Sequence, residues 1–452
     1  MAMQAWRAAC LAFDPEADHP IVHYESDGLL VAEPQSDGVW RVVARGPYAA
    51  LRPQWPQVPV HDWRGRCIAP GFIDLHVHYP QTDIIGAPAE GLLPWLQRYT
   101  FVHEARLADP AYAQEVASFF LDEMLRQGVT TALTWATSHP ASVEAVLEQA
   151  EARGLRWIAG KVLQDRHSPD GVRDDTEGSL RETEALIARW HGRRRLGYAI
   201  TPRFAPSCSD AQLQGAGALA AAHPSVWVQS HVAENVDEVR WVRELYPHDR
   251  SYLAVYERFG LLRPRAVYAH GIYLDEVDHA RLAATGAAVA VSPTSNLFLG
   301  SGFFDYAAAR RAGVRLGLAS DVGAGMSFSP FATMRAAYTV GRAAVRGDGA
   351  AKAAVSLTPE DLWWQHTAGA ARAAGLAGVV GSLAVGSEAD FIVLDPEATP
   401  LLKRRCAHAA SLTEWLFAFI VLADDRAVAH VHVAGQPHNF TQRPSGRNEA
   451  RA

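Results

Sequence analysis

From about residue 70 to residue 350, short apolar runs alternate with stretches in which apolar side chains recur at helical spacing. That alternation is the pattern of repeated strand and helix units around a parallel sheet. Strand-like runs fall at 70–78, 129–136, 155–163, 196–201, 226–231, 266–270, 288–292 and 314–321, and clear helical stretches at 111–127, 141–153, 180–190 and 211–222. Eight such units close a barrel, so the pattern predicts an α/β chain with a (β/α)8 TIM-type barrel at 69–381. On either side, residues 1–68 and 382–452 are rich in short Val, Ile and Gly segments such as Phe391–Leu394 and Val428–Val433. These flanks are expected to pair as one small β-sandwich domain built from both termini. The apolar stretch 415–422 reads as a buried helix within the C-terminal part, near 411–423.

The ends of the predicted strands carry the chemistry. His76 and His78 are two residues apart, and in a strand such positions point to one side, so both rings are able to grip one metal ion. The runs at 226–231 and 266–270 close on His231 and His270, and the run at 314–321 closes on Asp321. In a barrel of this kind the reactive groups sit at the C-terminal strand ends, where these candidates fall.

Composition narrows the class. With 452 residues, 49% of them hydrophobic, the chain supplies one large core and a smaller satellite. The net charge of -7 comes without any basic run, which argues against nucleic acid as a partner. Cys10, Cys67, Cys208 and Cys406 show no C-x-x-C spacing and fit free thiols in a reducing compartment. The N-terminal apolar run is interrupted by Asp14 and is too short for a signal peptide, and 415–422 is too short to span a bilayer. The expectation is a cytoplasmic enzyme with no membrane partner.

The order and wording of the local motifs add a resemblance. Tyr79-Pro80-Gln81 follows the histidine pair, then come Thr201-Pro202-Arg203-Phe204, Ser230-His231-Val232-Ala233-Glu234-Asn235 and His270-Gly271-Ile272-Tyr273. Ser292-Pro293-Thr294-Ser295-Asn296, Ser320-Asp321-Val322-Gly323-Ala324-Gly325 and the 381–390 segment complete the series. Together they resemble the guanine-deaminase branch of the amidohydrolase superfamily over nearly the whole chain. The resemblance implies a mononuclear zinc hydrolase that replaces the C2 amine of guanine by oxygen, giving xanthine and ammonia, and it implies a homodimer. It assigns His76, His78, His231 and Asp321 as metal ligands, Glu234 as proton shuttle, His270 as either a fifth ligand or, the favoured role, a group beside the attacking water, and Asp321 also as general base. Neutral imidazoles and a carboxylate on zinc lower the pKa of water from about 15.7 toward about 7. Such donors also accept iron or manganese.

A planar polar base needs matching donors and acceptors along its edge, and Gln81 and Arg203 are the natural pair, with the atoms each contacts left open. Phe204 is placed to stack on the base, Trp95 and Tyr99 to close the pocket, and Glu234, His231 and Asp321 complete the substrate set. The chain has three lysines, Lys161, Lys352 and Lys403. Binuclear relatives carry a carboxylated lysine at the end of the fourth strand; none stands there, which implies one metal, although Lys161 lies in the third strand. Two other readings stay open: a related enzyme deaminating or dechlorinating another heterocycle (8-oxoguanine, cytosine or an s-triazine), and a silent metal-binding scaffold. The second would have no use for Glu234.

Overall fold

Val-, Ile- and Ala-rich runs form eight parallel barrel strands: Phe72–His78, Val129–Trp135, Arg156–Gly160, Leu196–Pro202, Trp227–Val232, Ala266–His270, Ala288–Val291 and Arg315–Leu318. The computed structural model describes residues 3–343 and 353–438; Lys352 and the last part of the expected C-terminal β-domain, 439–452, lie outside them. Ile73, Leu75, Leu133, Ile158, Ala199, Trp227, Val267, Ala288 and Ala290, contributed by successive strands, meet in one buried cluster inside the barrel. The small alanines there leave room at the base for the helix Ala368–Ala373, and Trp227 Nε1 donates to Ala374 O at 2.7 Å beneath it.

Two predicted strands differ from the structure. The third run breaks at Lys161, whose N–H donates to the Tyr198 hydroxyl (3.1 Å) and not to a ladder partner. Only the short Val162–Leu163 resumes, against the fourth strand. The eighth ladder ends at Leu318, so Asp321 stands three residues past the strand and not on its last position. There the chain leaves the seventh strand and crosses to the first: Ser320 N donates to the Asp74 carboxylate (3.1 Å), Asp321 N to His76 O (2.9 Å), and His78 N to Val322 O (2.8 Å). The helices keep their predicted places with earlier starts set by caps. Asp109 accepts from Ala111 N to begin Pro110–Arg126, and Asp175 accepts from Gly178 N to begin Thr176–Trp190.

The termini build one seven-stranded mixed sheet. Its order is Gln436–Pro437, Val428–Val433, Phe391–Leu394, Val60–Pro70, Gln4–Phe13, Val22–Pro34 and Trp40–Pro47. Gln4–Phe13 and Val60–Pro70 pair in parallel and the other neighbours antiparallel. The sheet curls until Val42 N reaches Ser387 O (2.9 Å) and Ala389 N reaches Trp40 O (2.8 Å), enclosing Trp6, Leu30, Trp40, Ile68 and Phe391. The strand Val60–Pro70 runs directly into the barrel through Gly71, where a Cβ would lie 2.2 Å from Thr130 Oγ1. The apolar C-terminal helix Leu412–Leu422 packs on the barrel helices Pro330–Arg342 and Pro359–Gln365. All four cysteines are free, and among the described residues no helix is long and apolar enough to cross a membrane.

Barrel base and sheet are stapled by a buried ion network. Arg156 Nε donates to Glu388 Oε2 at 2.8 Å, Arg195 Nε to the same oxygen at 3.0 Å, and Arg195 also binds Asp390. Burial works to raise the Glu388 carboxyl, and the two guanidiniums outweigh it, holding it at about 2. Its folded value lies below its unfolded value, so its contribution is full above the ordinary carboxylate range and is lost as pH falls through about 2. Glu388→Ala leaves two guanidiniums short of a partner and is expected to lower unfolding free energy by about 3–5 kcal/mol at neutral pH. Chemical denaturation measures this, and the deficit shrinks in acid as the wild-type contact titrates away.

Candidate active site

The first barrel strand is irregular, and its irregularity aims the histidines. Its register against the second strand slips at Phe72/Ile73 and again between Asp74 and Val77, the mark of bulges that redirect side chains. Ile73 and Leu75 thereby fill the barrel interior while His76 and His78, both buried, turn to the mouth. Asp74, also buried, accepts from His76 N (3.1 Å) as well as from Ser320 N, which ties the strand end to the loop bearing Asp321. Burial raises the Asp74 carboxyl to about 7.

The other strand ends reach the same point through backbone that L side chains rarely adopt. His270 has φ 71°, Asp321 φ 52° and Ala233, next to Glu234, φ 49°. Non-glycine residues held in the left-handed region cost roughly 1–3 kcal/mol each and concentrate where a site requires them. Here they bend the chain so that side chains from strands one, five, six and eight converge.

His76 Nε2 lies 3.1 Å from His78 Nε2 and 3.0 Å from Asp321 Oδ1, and His78 Nε2 lies 3.3 Å from His231 Nε2 and 3.4 Å from Asp321 Oδ1. Ligand atoms about 2.0–2.1 Å from one tetrahedral ion stand about 3.3 Å apart, so the spacing fits a single bound metal. The electrostatics fit as well. Burial depresses His76, takes His78 down to about 4 and His231 well below its usual value, so these rings are neutral and present lone pairs. His231 Nδ1 donates to Arg203 O (2.6 Å), which leaves Nε2 as the free donor atom. Burial pushes the Asp321 carboxyl up, yet His76 and its neighbours hold it well below the usual range, as an anion. Three neutral nitrogens and one carboxylate oxygen are a divalent-metal donor set.

His270 lies farther from the Asp321 carboxylate than His76 does, although its ring also comes within metal-ligand reach of His76 and His231. Its Nε2 is 3.9 Å from Asp321 Oδ2 and 3.4 Å from Glu234 Oε2, and its Nδ1 is held by Asn296 Oδ1 at 2.8 Å. Glu234 follows the fifth strand in the loop just before Asn235, the cap of the helix Val236–Leu245. It is buried, not a solvated helix-end glutamate. Ser301 Oγ donates to Glu234 Oε1 (3.2 Å), while Glu238 accepts the N–H groups of Glu234 (3.0 Å) and Asn235 (3.1 Å). Burial and the nearby Asp321 charge raise Glu234 to about 8. A cation on the histidines opposes that rise.

These groups form one side of a pocket at the barrel mouth. Gln81, Arg203 and Phe204 line the rest, roofed by Leu92, Trp95, Leu96, Leu299 and Ala324. Trp95 therefore reaches the cavity; Tyr99 does not line it and packs with Ile84 and Leu92 in the roof cluster. The Phe204 ring meets Trp241 edge-on, centroids 6.0 Å apart. Lys161 is far from this chemistry in kind: its ammonium is buried against Asp174 at 2.7 Å.

Sequence patterns did not single out Glu104, Glu238, Asn296 or Asp74 as parts of the site. Asn296 closes the Ser-Pro-Thr-Ser-Asn motif and Asp74 stands two residues before His76 in the first apolar run, which is the signal that points to them. Glu104 lies in the long segment after the first strand with no spacing to distinguish it, although its carboxylate joins Gln81 and Arg203.

Residues 67–437 match the Amidohydrolase family. The guanine deaminase of Escherichia coli (strain K12) is 40% identical over 424 residues, covering 94% of this chain and 93% of that protein. The solved E. coli guanine deaminase superposes with a TM-score of 0.91 at 38% identity, over 97% of this chain and 100% of the other. Guanine deaminase from C. acetobutylicum, solved with guanine in its active site, superposes with a TM-score of 0.86 at 27% identity, over 96% and 99%.

The two roles given to histidine separate experimentally. Elemental analysis of dialysed His231→Ala is expected to show metal affinity reduced more than about 100-fold, beyond the usual effect of an outer partner. His270→Ala is expected to keep close to one equivalent. Loss of metal from both variants contradicts the separation.

Proposed function

The chain belongs to the amidohydrolase family, and from that membership and the chemistry of its cavity we propose that it hydrolyses guanine to xanthine and ammonia. The observation that carries this reading is the buried Glu234 carboxylate, 3.4 Å from His270 and set beside three histidines and an aspartate with metal-ligand spacing. A passive metal scaffold has no need of a second buried carboxylate there.

His76, His78, His231 and Asp321 suit a single zinc ion, and iron is the alternative these donors also accept. Zinc, when bound, lowers the pKa of water toward about 7 and so supplies the nucleophile at neutral pH. Asp321, anionic and between His76 and His270, is the acceptor for the proton that the attacking water loses. Glu234 carries a proton to N3 as oxygen adds at C2, and a second to the amine as the C2–N bond breaks with its electron pair on nitrogen. The protons come from the consumed water, so guanine and water leave as xanthine and ammonia. His270 has its Nδ1–H committed to Asn296, so Nε2 faces the reaction. Neutral, it accepts from the incoming water; protonated, it steadies negative charge developing on oxygen.

Opposite, Gln81 and Arg203 meet the purine edge and Phe204 lies against its face. Leu92, Trp95 and Leu299 keep water from the reacting centre. Such a reaction opens the breakdown of guanine. The free thiols support a reducing, cytoplasmic setting, and the resemblance in the motifs supports a homodimer.

Ammonia release from guanine by the zinc-loaded protein, beside adenine, cytosine, 8-oxoguanine and a chlorotriazine, tests the reading. Guanine is expected to be the preferred substrate. Glu234→Gln is expected to lower kcat by about 10²–10⁴ with metal retained. Turnover of another heterocycle alone moves the specificity, and an unaffected Glu234→Gln removes the shuttle.

A further inference from the structure

Glu104 is completely buried, and its carboxylate accepts three hydrogen bonds from the two residues proposed to meet the substrate edge. Arg203 Nη1 donates to Oε2 at 2.6 Å, Arg203 Nη2 to Oε1 at 3.1 Å, and Gln81 Nε2 to Oε1 at 3.0 Å. The Phe101 ring lies 5.0 Å from the guanidinium carbon, so Arg203 is clamped both in its plane and across its face. Gln81 is fixed in sense too. Its Oε1 accepts from Gly323 N at 3.2 Å, and reversing the amide would set oxygen against the Glu104 carboxylate and N–H against the Gly323 N–H.

We infer that Glu104 is a positioning residue which holds Arg203 and Gln81 as a wall of hydrogen-bond donors and thereby makes the pocket select purines with a carbonyl at C6. The inference rests on the purine reading of the site. A guanidinium has five N–H groups, and Glu104 takes two of them; a primary amide has two, and Glu104 takes one. What remains on Arg203 and Gln81 at the cavity is donor capacity, which matches the carbonyl and ring nitrogen of guanine and mismatches the amino edge of adenine. The ion pair also cancels the charge of Arg203, so the wall attracts a neutral carbonyl without favouring anions in general.

A purely structural role explains the arrangement less well. A fully buried ion pair returns little net stability over apolar side chains of the same size. This one joins three separate segments, the end of strand one, the helix Phe101–Ala105 and the residue after strand four, and two of its three members line the cavity.

The test compares ligands that are not turned over at C2. Hypoxanthine has the C6 carbonyl and no C2 amine; purine has neither. Calorimetry on metal-loaded wild type and Glu104→Gln is expected to show hypoxanthine weakened by roughly 10–100-fold, the scale of charge-assisted hydrogen bonds, with purine changed by less than about 3-fold. Glu104→Asp, which keeps the charge, is expected to restore part of the difference, and guanine turnover by Glu104→Gln to lose far more in KM than in kcat. Equal weakening of both ligands, or of neither, overturns the inference. Should Glu104→Gln not fold, the carbonyl preference is read from Glu104→Asp, where an unchanged hypoxanthine-to-purine ratio overturns it. Wild-type protein that turns over guanine without preferring hypoxanthine to purine sinks this inference alone; absence of guanine turnover sinks the functional reading.

Discussion

Barrel closure at the mouth is the constraint on which the rest depends. Strands one and eight do not meet through a regular ladder; they meet through the backbone of the residues that carry the candidate metal-ligand side chains. Asp321 N donates to His76 O and His78 N to Val322 O, with the buried Asp74 carboxylate spanning His76 N and Ser320 N. Fixing the barrel therefore fixes His76, His78 and Asp321 relative to one another. The left-handed backbone at Asp321 and His270 is held by the same surroundings, consistent with local strain retained where geometry matters.

From that rim the cavity divides into two electrostatic halves. One holds neutral imidazoles and carboxylates, which favour a divalent cation and the protons moving around it. The other holds Arg203 and Gln81, neutralised and oriented by Glu104, and offers donors to a planar ligand. A guanine placed with C2 at the first half turns its carbonyl edge away from the metal. The two halves together explain why one small pocket suits this hydrolysis better than they would separately.

The barrel was legible because its strands are short apolar runs separated by helical spacing, and the count of eight followed without further information. The meeting of His76, His78, His231, His270 and Asp321 was legible because four strand-like runs end on His or Asp. Strand limits were less so: Lys161 diverts its N–H to Tyr198, and the chain after Leu318 leaves its ladder to close the barrel, neither of which has a periodic signature. Glu104 was invisible for a related reason. Its meaning comes from a meeting of three segments remote in sequence, and a lone glutamate in a long loop reads as solvated surface until that meeting is seen. The staple of Arg156, Arg195 and Glu388 likewise depends on contacts across more than one domain-like unit.

The central claim is that one mouth-of-barrel constellation holds the metal and presents the purine to it. A crystal structure of the metal-loaded protein with xanthine, with the metal located by anomalous scattering, tests this most directly. The account predicts one ion about 2.0–2.3 Å from His76, His78, His231 and Asp321, and the purine C2 side toward it with the C6 carbonyl on Arg203 or Gln81. An ion held elsewhere, or a purine bound with its C6 carbonyl at the metal, contradicts it.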